Sequence, residues 1–156
     1  MRRTPILVFL IALVLVASTC RRMHLSPEEQ VRKAIEVVVN AVGERNIKPV
    51  AASVSEQYAD RNGNDKKQIV SLVRMQFLLH PNLYLVTKIT SVECPEPIQS
   101  HVVLYAAMAS LPTSVQPDLR NLSADVYRFD ITLVDENGTW RVCSAAWAPA
   151  TVKDLL

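Results

Sequence analysis

The chain has no concentrated basic face, no histidine or cysteine cluster and no sustained imbalance of charge. It carries 17 basic and 15 acidic residues. Its apolar N-terminal stretch also holds Arg2 and Arg3 and no acid, so a chain without residues 1–19 is formally neutral. A nucleic-acid partner demands a concentrated basic surface, and that class is excluded. His24, His80 and His101 stand alone along the chain, and no spacing of ligand residues suggests a metal centre. No serine lies in a nucleophile elbow. No internal repeat or low-complexity linker divides the sequence, and no cofactor motif is present.

What is there begins at the N-terminus. Met1-Arg2-Arg3 is basic, residues 6–16 are uninterruptedly apolar, and Ala17-Ser18-Thr19-Cys20 closes the run with small residues and a cysteine. This is the plan of a secretory signal. The run is short for a bilayer-spanning helix, which needs roughly 20 apolar residues. The segment resembles a bacterial lipoprotein signal, which implies a lipid on Cys20 and a mature chain that begins there. The expected organisation is a signal peptide over residues 1–19, a tether over 20–25 and one domain over 26–150. The expected location is the bacterial cell envelope, membrane-anchored, with the domain facing the periplasm or the cell exterior. An uncleaved signal-anchor is the alternative.

Without residues 1–19 the chain has 137 residues, enough for one domain that buries roughly two-thirds of its unfolded surface. Ser26-Pro27-Glu28-Glu29 reads as a capping box with proline in the first turn. Val31, Ile35, Val38 and Val42 continue as one helical stripe. Asn46 is placed to cap a second helix whose apolar face runs on through Val50, Val54 and Tyr58. Asp65 caps a third to Leu79, with Ile69, Val73 and Phe77 as its stripe, widened by Leu72, Met75 and Leu79. The pattern then changes to strands over residues 83–94, 101–110, 124–134 and 139–147, with Pro95 and Pro97 breaking the first. A hairpin signal stands at Asp135-Glu136-Asn137-Gly138. The fold class is α+β: three N-terminal helices on a curved antiparallel sheet of about four strands.

Parity in the last hairpin places Tyr127, Phe129, Ile131 and Leu133 on the helix-facing side, with Trp140, Val142, Ser144 and Ala146. Arg128, Asp130, Thr132 and Arg141, joined by Cys143 and Trp147, take the other side. A two-residue Asn-Gly turn pairs Leu133 with Val142; a four-residue loop pairs it with Trp140. In a meander, Cys94 and Cys143 lie three strand spacings apart, roughly 14 Å. A disulfide requires Cα atoms within about 7 Å, so both thiols are expected free.

The element order, the Ser55-Glu56-Gln57-Tyr58-Ala59-Asp60 segment and the closing Asp135-Glu136-Asn137-Gly138-Thr139-Trp140-Arg141-Val142 hairpin resemble the nuclear transport factor 2-like superfamily, bacterial exported type. The resemblance implies a cone with an internal pocket and places Tyr58 and Trp140 among its aromatic lining residues. With Tyr127 and Phe129 they form the candidate pocket. No carboxylate or imidazole falls on the inward strand faces, and Asp60 reads as a loop cap. No residue is assigned a catalytic role. The expected function is binding of a small apolar ligand or a protein partner by a domain tethered to the membrane through its lipid, with homodimerisation left open. An isomerase- or cyclase-like enzyme using Asp60 or Tyr127 is the second hypothesis. A periplasmic structural module of a trans-envelope assembly is the third.

Overall fold

The computed structural model describes residues 25–110 and 125–155. The expected signal segment and Cys20 lie outside them. Helix α1 spans Pro27–Gly43 and begins in the expected capping box. Ser26 Oγ accepts from the Glu29 amide, and the Glu29 carboxylate accepts from the Ser26 amide at 2.8 Å. Val31 and Ile35, 0% and 2% exposed, carry the buried stripe. Each such side chain contributes roughly 1.5–3 kcal/mol by leaving water. Past Gly43 the chain reverses at Arg45, whose φ is 56°. Its guanidinium donates to the Phe77 and Pro81 carbonyls, tying the turn to the end of the third helix.

Helix α2 spans Ile47–Ala52, capped by Asn46 as expected. It is shorter than the apolar spacing implies. Val54 and Tyr58 do not extend it; they lie on an irregular segment, with a turn at Glu56-Gln57, that docks beside the last strand. Three backbone bonds hold it there: Ser55 N to the Val142 carbonyl (2.9 Å), Val142 N to the Ser53 carbonyl (2.8 Å) and Ala59 N to the Cys143 carbonyl (3.1 Å). Helix-like spacing arose because a segment packed against a strand edge also buries residues at intervals.

Helix α3 spans Lys66–Leu79 and opens on a second capping box, between Asp65 and Gln68. Phe77 is buried in a satellite cluster with Ala41 of α1 and Val50 of α2. Leu72, Met75 and Leu79 were expected to widen this buried stripe. They instead point outward, at 38%, 51% and 63% exposure.

Strands β1 (Leu83–Glu96), β2 (Gln99–Ser110), β3 (Asp125–Asp135) and β4 (Trp140–Ala150) form an antiparallel meander in sequence order. Pro95 does not end β1, because an edge strand tolerates a residue without an amide hydrogen. A short helix absent from the sequence expectation, α4 (Val152–Leu155), follows β4 and packs against β2. Val31, Ile35, Val102, Leu104, Ile131, Leu133 and Trp140 form the main core between α1 and the sheet. Cys94 and Cys143 are free, as the strand order predicts.

The β3–β4 turn is the two-residue type. Asn137 and Gly138 both have positive φ, 57° and 84°, which suits a type I′ turn. Leu133 accordingly pairs with Val142. One step further the register shifts: Thr132 pairs with Ser144, leaving Cys143 as the extra residue of a bulge. The face assignment beyond that point is therefore reversed. Ser144 and Ala146 stand opposite Thr132 and Asp130 on the outer side, while Ala145 and Trp147 stand opposite Ile131 and Phe129 on the inner side.

Candidate functional site

Helix α1 covers only part of the inner sheet face. Toward Leu133 and Trp140 the face is closed. Toward the other end two cross-strand rows remain partly open: Ile89-Leu104-Phe129-Trp147 and Thr87-Ala106-Tyr127-Pro149. The Tyr127 and Phe129 rings lie 6.4 Å apart, tilted by 54°. That separation lies within the range of favourable aromatic pairs. Trp147 is 39% exposed. These rows contain no carboxylate, imidazole, ammonium or guanidinium. The nearest acid on the same face is Asp125, one row beyond Tyr127 at the exposed start of β3.

Neither groove described below is lined by all four expected pocket residues. Tyr127 and Phe129 are together, half-buried, on the inner face. Trp140 belongs to the main core and borders a separate groove of about 480 Å³ between α1, α2 and the β3–β4 turn. Tyr58 is only 3% exposed, on the segment beside β4. A second groove of about 310 Å³ lies along α3 at Ser71, Leu72 and Met75. Neither groove is the enclosed cone cavity that the resemblance implies.

Asp60 is occupied structurally. Its carboxylate accepts from the amides of Asn62 (2.9 Å) and Asn64 (3.0 Å), the Asn64 side chain (2.9 Å) and the Tyr58 hydroxyl (3.1 Å). Partial burial opposes its ionisation, but these hydrogen bonds outweigh it and hold the carboxyl below its ordinary value. An acid already saturated with donors is a poor proton acceptor. Burial, reinforced by the Asp60 charge, pushes the Tyr58 phenol well above its usual range and keeps it protonated. Burial also raises the Cys143 thiol, whose Sγ donates to the Thr132 carbonyl at 3.4 Å. A thiol so placed is not an activated nucleophile. Ser55 is fully buried and donates to Glu136, which also pairs with Arg141 at 3.0 Å. The Ser55-to-Asp60 segment is thus a fastening between helices and sheet.

Among the described residues no group of three His, Cys, Asp or Glu side chains is placed to hold a metal ion. No helix among them is long and apolar enough to cross a membrane.

No protein-family model matches the chain, and no curated protein matches it by sequence. Solved structures do match. A ketosteroid isomerase-like protein from Erwinia carotovora atroseptica is similar with a TM-score of 0.62 at 12% identity, over 81% of this chain and 98% of that one. A candidate scytalone dehydratase from Novosphingobium aromaticivorans gives 0.64 at 9% identity, over 78% and 83%. A candidate dehydratase of the nuclear transport factor 2-like family, from Streptomyces avermitilis, gives 0.59 at 12% identity, over 79% and 96%. The chain has the nuclear transport factor 2-like fold. On the inner face of the sheet in this chain lie Tyr127, Phe129 and Trp147.

Parity reasoning missed Trp147. A trace of it is present in the sequence. Trp140 and Val142 are even-numbered and Trp147 is odd, so one strand that turns all three to the inner face must slip by one residue between them.

Proposed function

We propose that this domain is a non-catalytic binding module that takes a small apolar ligand, or an apolar side chain of a protein partner, on its inner sheet face. The carrying observation is the half-exposed Tyr127-Phe129-Trp147 surface, whose rows hold no acid or base. A general base must reach the substrate proton within hydrogen-bonding distance. Binding by burial of apolar and aromatic surface needs no such group. The proposal includes the setting: lipid on Cys20, anchorage to a bacterial envelope membrane and a domain facing the periplasm or the exterior. The basic, apolar and small-residue order of residues 1–20 supports it.

Asp125 favours one competing reading, an isomerase- or dehydratase-like enzyme with its base at the open rim. The test compares two variants for binding of a neutral fluorescent probe, N-phenyl-1-naphthylamine. Trp147→Ala is expected to weaken binding and Asp125→Asn to leave both binding and any cellular phenotype unchanged. A folded Asp125→Asn protein that has lost its cellular function would support the enzyme instead. For the setting, mass spectrometry of the membrane fraction should show a chain beginning at an acylated Cys20. A full-length, unacylated chain would remove the lipid anchor from the proposal.

A further inference from the structure

We propose that the groove between α1, α2 and the β3–β4 turn is a second binding site, for a single-chain amphiphile with an anionic head. It is separate from the Tyr127-Phe129-Trp147 surface and stands or falls without it.

The groove's volume of about 480 Å³ is in the range of small-molecule sites, roughly 300–1,000 Å³. Its apolar lining comes from Leu25, Val37, Pro49, Ala52 and Trp140. Val37 is 52% exposed, whereas Val31 and Ile35 of the same helix are buried. An apolar flank of α1 is therefore wet along this groove. Trp140 is 7% exposed, and its indole Nε1 has no hydrogen-bond acceptor among the described residues. A buried donor without a partner is uncommon, and this one is closed from solvent, so an acceptor in the groove would reach it only with a small shift of the indole.

Charge selects the head group. Lys33 and Arg141 line the groove, and no carboxylate does. The carboxylates that act on these cations have other partners: Glu56, within electrostatic reach of Arg141, pairs with Lys66. Glu136 pairs with Arg141 and accepts from Ser55; Glu29 is held by the Ser26 amide and hydroxyl. Arg141 is fixed at the rim by Glu136 and by its bond to the Ala52 carbonyl. Lys33 is exposed and, although it lies in the field of the Glu29 carboxylate, makes no direct ion pair with it, so its ammonium can turn to an incoming anion. An apolar trough with a cationic rim fits a chain that ends in a carboxylate or a phosphate. A fatty acid and a lysophospholipid share that chemistry.

The experiment uses the full chain in phosphatidylcholine nanodiscs with three diazirine-bearing probes: a palmitate, a lysophosphatidylglycerol and an uncharged long-chain alcohol. After irradiation, labelled peptides are mapped by mass spectrometry. Labelling by an anionic probe at Pro49, Ala52 or Trp140, stronger than by the alcohol, is the expected result. Whichever anionic probe labels more names the source of the ligand. Lys33→Glu and Val37→Asp, both at exposed side chains, should cut that labelling about tenfold with folding unchanged, since reversing one charge or wetting the floor weakens a mixed apolar and ionic contact by such a factor. No labelling by either anionic probe would overturn the site. So would labelling insensitive to both substitutions, or labelling confined to Phe129 and Trp147.

Discussion

Ile131 and Trp147 face the same side of the same sheet, yet one is 8% exposed and the other 39%. The difference lies in what covers them. Helix α1 lies across the end of the sheet that holds Val102, Ile131 and Leu133, and its Val31 and Ile35 close that end. Beyond Ile131 the inner face continues through Phe129 and Tyr127, which stay partly exposed although Leu104 and Ala106 beside them are buried. One end of the sheet spends its apolar surface on folding. The other keeps part of that surface available, which is the condition for binding by burial. On the proposed reading, stability and ligand contact are separated along single strands, a few residues apart.

Five substitutions would sharpen or break this division. Leu133→Ala, at the closed end, should cost about 2–5 kcal/mol in chemical denaturation, the usual range for a buried leucine. Phe129→Ala, at the boundary, should cost less, about 1–2 kcal/mol, because a half-buried ring recovers only part of its transfer energy. It should also weaken the neutral probe. Trp147→Ala should change stability by under about 1 kcal/mol while weakening the probe more than any other single change, since its exposed portion contributes to binding rather than to folding. A stability loss at Trp147 matching that at Leu133 would end the distinction.

Asp60→Asn addresses the fastening beside β4. A carboxyl whose folded value is depressed contributes stability above its unfolded value, near 3.9, and loses it as pH falls through the folded value. The wild-type protein should therefore exceed Asp60→Asn in thermal midpoint at neutral pH, and the gap should close as the solution is acidified below the ordinary carboxylate range. A gap independent of pH would mean that the carboxylate's charge is irrelevant. Probe binding should be untouched. Thr132→Ala is the smallest change. Its hydroxyl sits on the outer face, 3.2 Å from His101 Nδ1, in an exposed contact. The cost should be under about 0.5 kcal/mol.

Local signals in the sequence were read well where local chemistry decides the outcome. Ser26, Asn46 and Asp65 cap the three helices because side-chain oxygens there satisfy amides that the helix cannot. Asn137-Gly138 fixes the hairpin because both residues accept positive φ. What required tertiary information was misread. Nothing in the spacing of Val54 and Tyr58 distinguishes a helix from a segment laid against β4. Leu72, Met75 and Leu79 have the period of a buried stripe, but no element of the described fold covers them. The site suffered most from this. Tyr127 and Phe129 share one strand face, as alternation requires. Tyr58 is consumed by its bond to Asp60, Trp140 by the core, and Trp147 was hidden by a register shift.

That shift at Cys143 has a meaning beyond this one strand. β4 behaves as two short strands of opposite phase joined by a single surplus residue. Without the bulge, a strand running regularly through Cys143 would pair Cys143 with Thr132 and present Ala146 where Trp147 now stands; deleting Cys143 would instead leave Trp147 opposite Phe129. The chemistry of the open surface is therefore set by the surplus residue as well as by composition, because it is the bulge that turns Trp147, and not Ala146, toward Phe129.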